Sequence, residues 1–301
     1  MTRSLERLVA STRNERTRKF YQQKAGHLIA LLGGETRLES LRPIHVDDYV
    51  RARRTHKVTE KGERYVSEHT IHKELATLRA ALRMSTRLGV FKGDARTLIP
   101  RHSPEYQPRE HWLRVEQVFA LIESFHVSQG DHAARVAFAV AVGAEWAALD
   151  RAERADVTME FVRVRGTKSA KRDRVVPVVT DWQRLLLEFA LRHAAGDKLL
   201  FARWPQRAAA RSLERAARRA ALPHTTWHDL RRTFAQLLRR GGAHIEDLAP
   251  TLGHANAKVT AAVYARLDAH GLRDRLVASL GTPVGQSAPN STQSAHSAQS
   301  G

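Results

Sequence analysis

Between residues 17 and 98 apolar side chains return every three or four positions, the spacing of helices that bury one stripe. Breaks fall at Gly33-Gly34, around Arg42-Pro43 and through the polar stretch 55–67, so the pattern predicts a small all-helical domain over residues 1–98. In its last helix Ile71, Leu75, Leu78 and Leu82 share one face, while His72, Arg79, Arg83 and Arg87 line a flank roughly 100° away. The first face packs. The second is either a solvated basic surface or one that meets phosphates.

Residues 99–110 hold three prolines and few apolar groups, which suits an extended linker. Beyond it, residues 115–125 and 133–149 predict two helices, the second rich in alanine and valine and therefore buried. The period then changes. Phe161, Val162 and Val164 precede a polar, glycine-containing loop, and Val175, Val176, Val178 and Val179 follow it, which reads as a β-hairpin. Helical patterns resume at Asp181. Residues 281–301 are small and polar, so a disordered tail is expected there. The predicted fold class is mainly α with a small β-sheet: an all-helical N-terminal domain followed by an α+β domain over residues 111–280.

Charge narrows the partners. The 301 residues carry 50 Lys and Arg against 31 Asp and Glu, a net charge of +19, which favours a polyanion and, first among polyanions, nucleic acid. A membrane surface also attracts such a charge, but the sequence has no apolar run of spanning length and no signal-peptide pattern. A cytoplasmic, nucleoid-associated chain is expected. There is no cysteine, no HExxH and no phosphate-binding GxxxxGK[ST] loop, so nothing calls for a metal, a cofactor or a small-molecule substrate.

The candidate chemistry lies near the C-terminus. His228-Asp229-Leu230-Arg231 opens a helical run after Thr225-Thr226, Leu252-Gly253-His254 follows a second short helical pattern, and Tyr264 comes after that. His-x-x-Arg by itself says little, since it occurs four times in this chain. A three-residue spacing at a helix start does put both side chains on one face of the first turn, where backbone N–H groups and the helix dipole favour an anion. Gly253 is suited to end a helix in left-handed conformation. Pro250 falls inside the helix expected before it, so that helix should be short or kinked. Each of these residues has a plain structural role available to it; the ordered combination is what carries information.

That combination resembles the tyrosine recombinase (phage integrase) family, over residues 17 to 280 and most strongly from Gly143 to Tyr264. The resemblance implies an N-terminal core-binding domain that clamps double-stranded DNA, with His72, Arg79, Arg83 and Arg87 as contacts. It also implies a catalytic domain in which Tyr264 attacks a phosphodiester to give a 3′-phosphotyrosine. Arg231 matches the second arginine, a clamp on the scissile phosphate; His228 and His254 match the two histidines. In the hairpin loop Lys168 matches the lysine that protonates the leaving 5′ oxygen, with Lys171 as runner-up and further DNA contact. A homotetramer on paired DNA sites and service to a mobile genetic element belong to the same implication. So does a reaction that conserves bond energy and needs no cofactor.

One block departs. The family has Gly-x-Arg-x-x-Glu after the buried helix, and this chain has Gly143-Ala144-Glu145-Trp146-Ala147-Ala148, which puts Glu145 at the first arginine's place. Unit charges about 4 Å apart at an effective dielectric near 20 interact by about 4 kcal/mol, and about 1.4 kcal/mol is tenfold in rate. Three outcomes follow. Another cation, from Arg135, Arg151, Arg154 or a partner chain, fills the gap; or the chain is a DNA-binding accessory or regulatory protein that has lost most turnover; or Glu145 pairs with Arg231 until DNA displaces it. A relaxing topoisomerase of related chemistry is a weaker reading.

Overall fold

The computed structural model describes residues 1–56, 65–99, 102–104, 110–166 and 173–253. The chain divides into two compact units, residues 1–107 and 108–301.

The first unit is helical: α1 (Thr2–Ser11), α2 (Glu15–Leu32), α3 (Pro43–Thr55), α4 (Glu68–Arg87) and the short α5 (Ala95–Leu98). The breaks have local causes. Gly33 ends α2 at φ +83°, Pro43 opens α3 at the position where its missing N–H is not needed, and the Ser67 hydroxyl caps α4 by accepting from the Thr70 amide. The α1 helix is an addition to the sequence reading, which began its periodic region at residue 17; α1 packs with α2 and α4 and buries Leu5 and Leu8. On α4 the expected stripe Ile71, Leu75, Leu78 and Leu82 is buried. At its side a buried ion pair crosses the core: Arg53 grips Glu74 through Nε–Oε2 (2.9 Å) and Nη2–Oε1 (2.8 Å), and the Tyr49 hydroxyl donates to Glu74 Oε2 (2.8 Å). Burial alone would raise the Glu74 pKa, but the Arg53 and Tyr49 hydrogen bonds outweigh it and the net shift is downward.

The second unit runs α6 (Val115–Glu123), α7 (Gly130–Val142), α8 (Trp146–Leu149), β1 (Phe161–Val164), β2 (Arg174–Pro177), α9 (Asp181–His193), α10 (Gln206–Arg219), α11 (Trp227–Arg240) and α12 (Ile245–Thr251). The α7 helix is the centre of its core, with every residue from Ala133 to Val142 buried. The sequence reading carried this helix through residue 149, and the structure corrects it. Gly143 turns left-handed (φ +59°) and ends α7, and α8 begins three residues later. The strands pair antiparallel with Val162 opposite Val176 and Val164 opposite Arg174. Alternation turns Val162, Val164, Arg174 and Val176 to the buried face and leaves Phe161 and Val175 exposed. Buried Gln183 of α9 ties helix to sheet, its amide donating to Ala141 O (3.0 Å) and Pro177 O (3.3 Å). No helix among the described residues is long and apolar enough to cross a membrane.

Candidate active site

The first turn of α11 is fixed by a reciprocal cap. The Thr226 hydroxyl accepts from the Asp229 amide (3.3 Å), and Asp229 Oδ2 accepts from the Thr226 amide (2.9 Å) and hydroxyl (2.7 Å). This explains the aspartate of the His228-Asp229-Leu230-Arg231 run: it builds the turn that presents the other two. Behind it, Thr233 accepts from the Leu113 amide (3.0 Å), and Leu230 and Phe234 enter the core.

From this turn Arg231 points inward and is only 4% exposed. Its Nη1 donates to Gly143 O (2.6 Å) and to Glu145 Oε2 (3.0 Å), and its Nη2 donates to the carbonyl of Leu252. A guanidinium stays charged at any ordinary pH, so its burial requires such a set of acceptors. Three segments distant in sequence therefore meet at one group: the turn after α7, the start of α11 and the end of α12. The last continues as Gly253, in left-handed conformation at φ +67°, and then as His254 in the sequence. The α12 helix is indeed short, seven residues with Pro250 inside it, and Gly253 N donates to Pro250 O (2.8 Å).

His228 is exposed on the same turn. Desolvation by the protein around the ring, then the charges of Arg232 and Arg231, lower its pKa, against an opposing pull from Asp229. The imidazole is neutral at pH 7 and keeps one N–H to donate.

Glu145 is the residue before α8, and that helix is anchored beside α11 by Trp146, whose ring meets Trp227 edge-on at 4.8 Å. Its carboxylate takes two cations rather than one. Besides Arg231, Arg174 of β2 reaches Oε2 through Nη1 (3.4 Å), while its Nη2 donates to Gly143 O (3.1 Å) and its Nε to Thr251 O (2.6 Å). The sequence reading did not single out Arg174. Its signal was present in the strand period, since Arg174 occupies the same alternating set as Val176 and Val178, where an arginine must be buried and partnered. The cations named for the gap are engaged elsewhere or far out on the surface. Arg135 is fully buried against Asp150 Oδ1 (2.7 Å) and Ala202 O, Arg154 donates to Leu191 O (3.0 Å) and Gly196 O (3.2 Å), and Arg151 is exposed beside Asp150 and Glu153.

The structure thus brings Arg231 and Glu145 into contact, and His228 stands on the same turn as Arg231, near enough for that charge to act on its ring. His254, Tyr264, Lys168 and Lys171 lie outside the described residues. In the first unit, His72 and Arg79 lean on the segment that follows α5, His72 Nδ1 donating to the His102 carbonyl and Arg79 Nη2 to Ile99 O (3.4 Å). Arg83 and Arg87 are exposed on the same helix.

Comparison with known structures places the fold. It is similar to the Tn1549 transposon integrase in complex with circular intermediate DNA (14% identity, TM-score 0.70, covering 91% of this chain and 98% of that one). A lambda integrase dimer bound to a COC′ core site matches at 14% identity and TM-score 0.67, covering 89% and 97%. A lambda integrase tetramer bound to a Holliday junction matches at 16% identity and TM-score 0.67, covering 85% and 76%. The fold is that of the tyrosine recombinases. The phage integrase family model matches residues 111–270, more than half of the chain, and the protein belongs to that family. Among curated proteins no relative matches.

Proposed function

We propose that this chain recombines DNA at specific sites by breaking and rejoining strands through a phosphotyrosine. The Tyr264 hydroxyl oxygen attacks a DNA phosphorus; an O–P bond forms, the P–O5′ bond breaks, and a 3′-phosphotyrosine and a free 5′-hydroxyl result. Lys168, with Lys171 as the alternative, gives its proton to the departing 5′ oxygen, and the phenol proton leaves to the surrounding site or solvent. Attack by a 5′-hydroxyl from another strand reverses these steps and regenerates the tyrosine, so phosphoester energy is conserved and no cofactor is needed. Arg231, His228 and His254 donate to the non-bridging oxygens, where negative charge accumulates in the transition state.

The observation that carries this reading is Arg231. In a domain of the phage integrase family, the arginine of the His-x-x-Arg turn is buried beside the turn after α7 and is hydrogen-bonded to Leu252, whose chain runs on into Gly253-His254. A guanidinium in that setting is a fixed electrophilic donor. The net charge of +19 supports double-stranded DNA as the partner, with His72, Arg79, Arg83 and Arg87 of α4 as contacts in the first unit. Assembly as a homotetramer on paired sites follows the same reading.

A second reading, a DNA-binding accessory or regulatory protein with little turnover, is favoured by the carboxylate of Glu145 on Arg231. A suicide duplex separates the two. Carrying a site recovered by capture of bound genomic DNA, and nicked so that the released 5′ end diffuses away, it should leave a covalent protein–DNA adduct with the enzyme and none with Tyr264→Phe. An accessory protein binds the duplex and leaves no adduct in either case.

A further inference from the structure

Arg174 and Arg231 come from different elements, a strand and a helix, and use the same two acceptors. Both donate to Gly143 O, at 3.1 and 2.6 Å, and both to Glu145 Oε2, at 3.4 and 3.0 Å. Two permanent positive charges thus converge where each side chain is only 5% exposed. At that depth their repulsion needs an anion between them, and Glu145 supplies it, its Oε2 meeting both guanidiniums. A carboxylate and a phosphodiester are alike in the respect that matters here: each offers a guanidinium two oxygens sharing one negative charge.

The placement of charge also answers the departure in the sequence. The loop after α7 holds a carboxylate where the family pattern has an arginine, and strand β2 brings an arginine to the same spot. Backbone carbonyls orient that arginine, Thr251 O at its Nε and Gly143 O at its Nη2, while Nη1 faces the carboxylate. The carboxylate is the most exposed member of the cluster, at 17%, so it has a path to water that the guanidiniums lack.

We propose that Arg174 is a catalytic residue that supplies the missing guanidinium: with Arg231 it forms a two-arginine seat for the scissile phosphate, and Glu145 fills that seat until DNA displaces it. The identity of the anion as a DNA phosphate rests on the recombinase reading. The seat itself does not, and it can be tested without DNA.

The probe is inorganic phosphate, titrated calorimetrically into the full chain. Glu145→Gln should bind phosphate about tenfold or more tightly than the wild type, and adding either Arg174→Gln or Arg231→Gln should remove about tenfold or more of that affinity. Glutamine keeps an amide donor for the Thr251 and Gly143 carbonyls, so a purely structural Arg174 would leave the affinity of the E145Q parent unchanged. That result overturns the proposal, as does E145Q binding phosphate no better than the wild type. Folding of E145Q only in the presence of phosphate supports the seat; failure to fold at any phosphate concentration makes Glu145 a structural counter-ion and overturns it. Should the Arg174 variant not fold, tungstate soaked into E145Q crystals decides. A peak within hydrogen-bond reach of both guanidiniums is expected, and a peak on Arg231 alone, or none at the cluster, contradicts the assignment. Phosphate binding at the seat without a covalent DNA adduct would overturn strand transfer and leave the seat standing.

Discussion

Gly143 and Phe234 meet so closely that a methyl group on Gly143 would stand 2.4 Å from Phe234 Cδ1. The contact, together with φ +59°, lets the chain leave α7 in a turn whose carbonyl reaches both Arg231 and Arg174. Gly143→Ala therefore adds left-handed strain to an overpacked contact, and we expect it to destabilise the second unit by roughly 2–6 kcal/mol. Chemical denaturation measures it; a change below about 1 kcal/mol would mean the turn relaxes freely.

In the first unit, Glu74→Gln leaves Arg53 buried with one strong acceptor fewer and should lower stability by about 3–5 kcal/mol. The same carboxylate predicts acid sensitivity. Its folded pKa lies below the ordinary value of 4.5, so the native state takes up a proton less readily than the unfolded chain. The stability it provides is complete above pH 4.5 and is lost as pH falls through the folded pKa. Denaturation midpoints between pH 5 and 3 should fall steeply for the wild type and less steeply for E74Q.

His228 gives a prediction at milder pH. Its imidazole sits below the ordinary 6.5, so the contribution to stability is complete above pH 6.5 and shrinks as pH falls below it. An NMR titration of the ring should place the midpoint under 6.5 in the DNA-free chain and move it upward when a phosphate anion is added. A midpoint at or above 6.5 without DNA contradicts the electrostatics described.

The two hairpin lysines are separable by leaving-group chemistry. Loss of the general acid should slow cleavage by about 100-fold or more, and a duplex with sulfur at the 5′ bridging position should restore the rate, because a thiolate leaves without a proton. We expect this pattern for Lys168→Ala and only weakened DNA binding for Lys171→Ala. The reverse pattern would exchange their roles.

In the first unit α4 was legible because Ile71, Leu75, Leu78 and Leu82 bury a stripe of period three to four, whereas α1 lies ahead of the periodic region and was missed; the hairpin was legible because valines alternate around a glycine-containing loop. The α7 boundary was not, since a glycine inside an alanine-rich apolar run reads equally as helix interior or helix end, and only Phe234, far along the chain, decides. The position of Glu145 could be read from the block around Gly143. Its second partner could not: Arg174 is separated from it by 29 residues and Arg231 by 86, and convergence of that kind is a property of packing. A charged residue in phase with buried valines was the one clue available.

The account stands most directly on where a trapped DNA strand is attached. Nuclease digestion of the adduct formed on a suicide duplex, followed by tandem mass spectrometry of its peptides, should find a nucleotide joined through its 3′-phosphate to Tyr264. Attachment at another residue, a 5′-phosphate linkage, or a protein that binds the duplex tightly and never becomes joined to it would contradict the account.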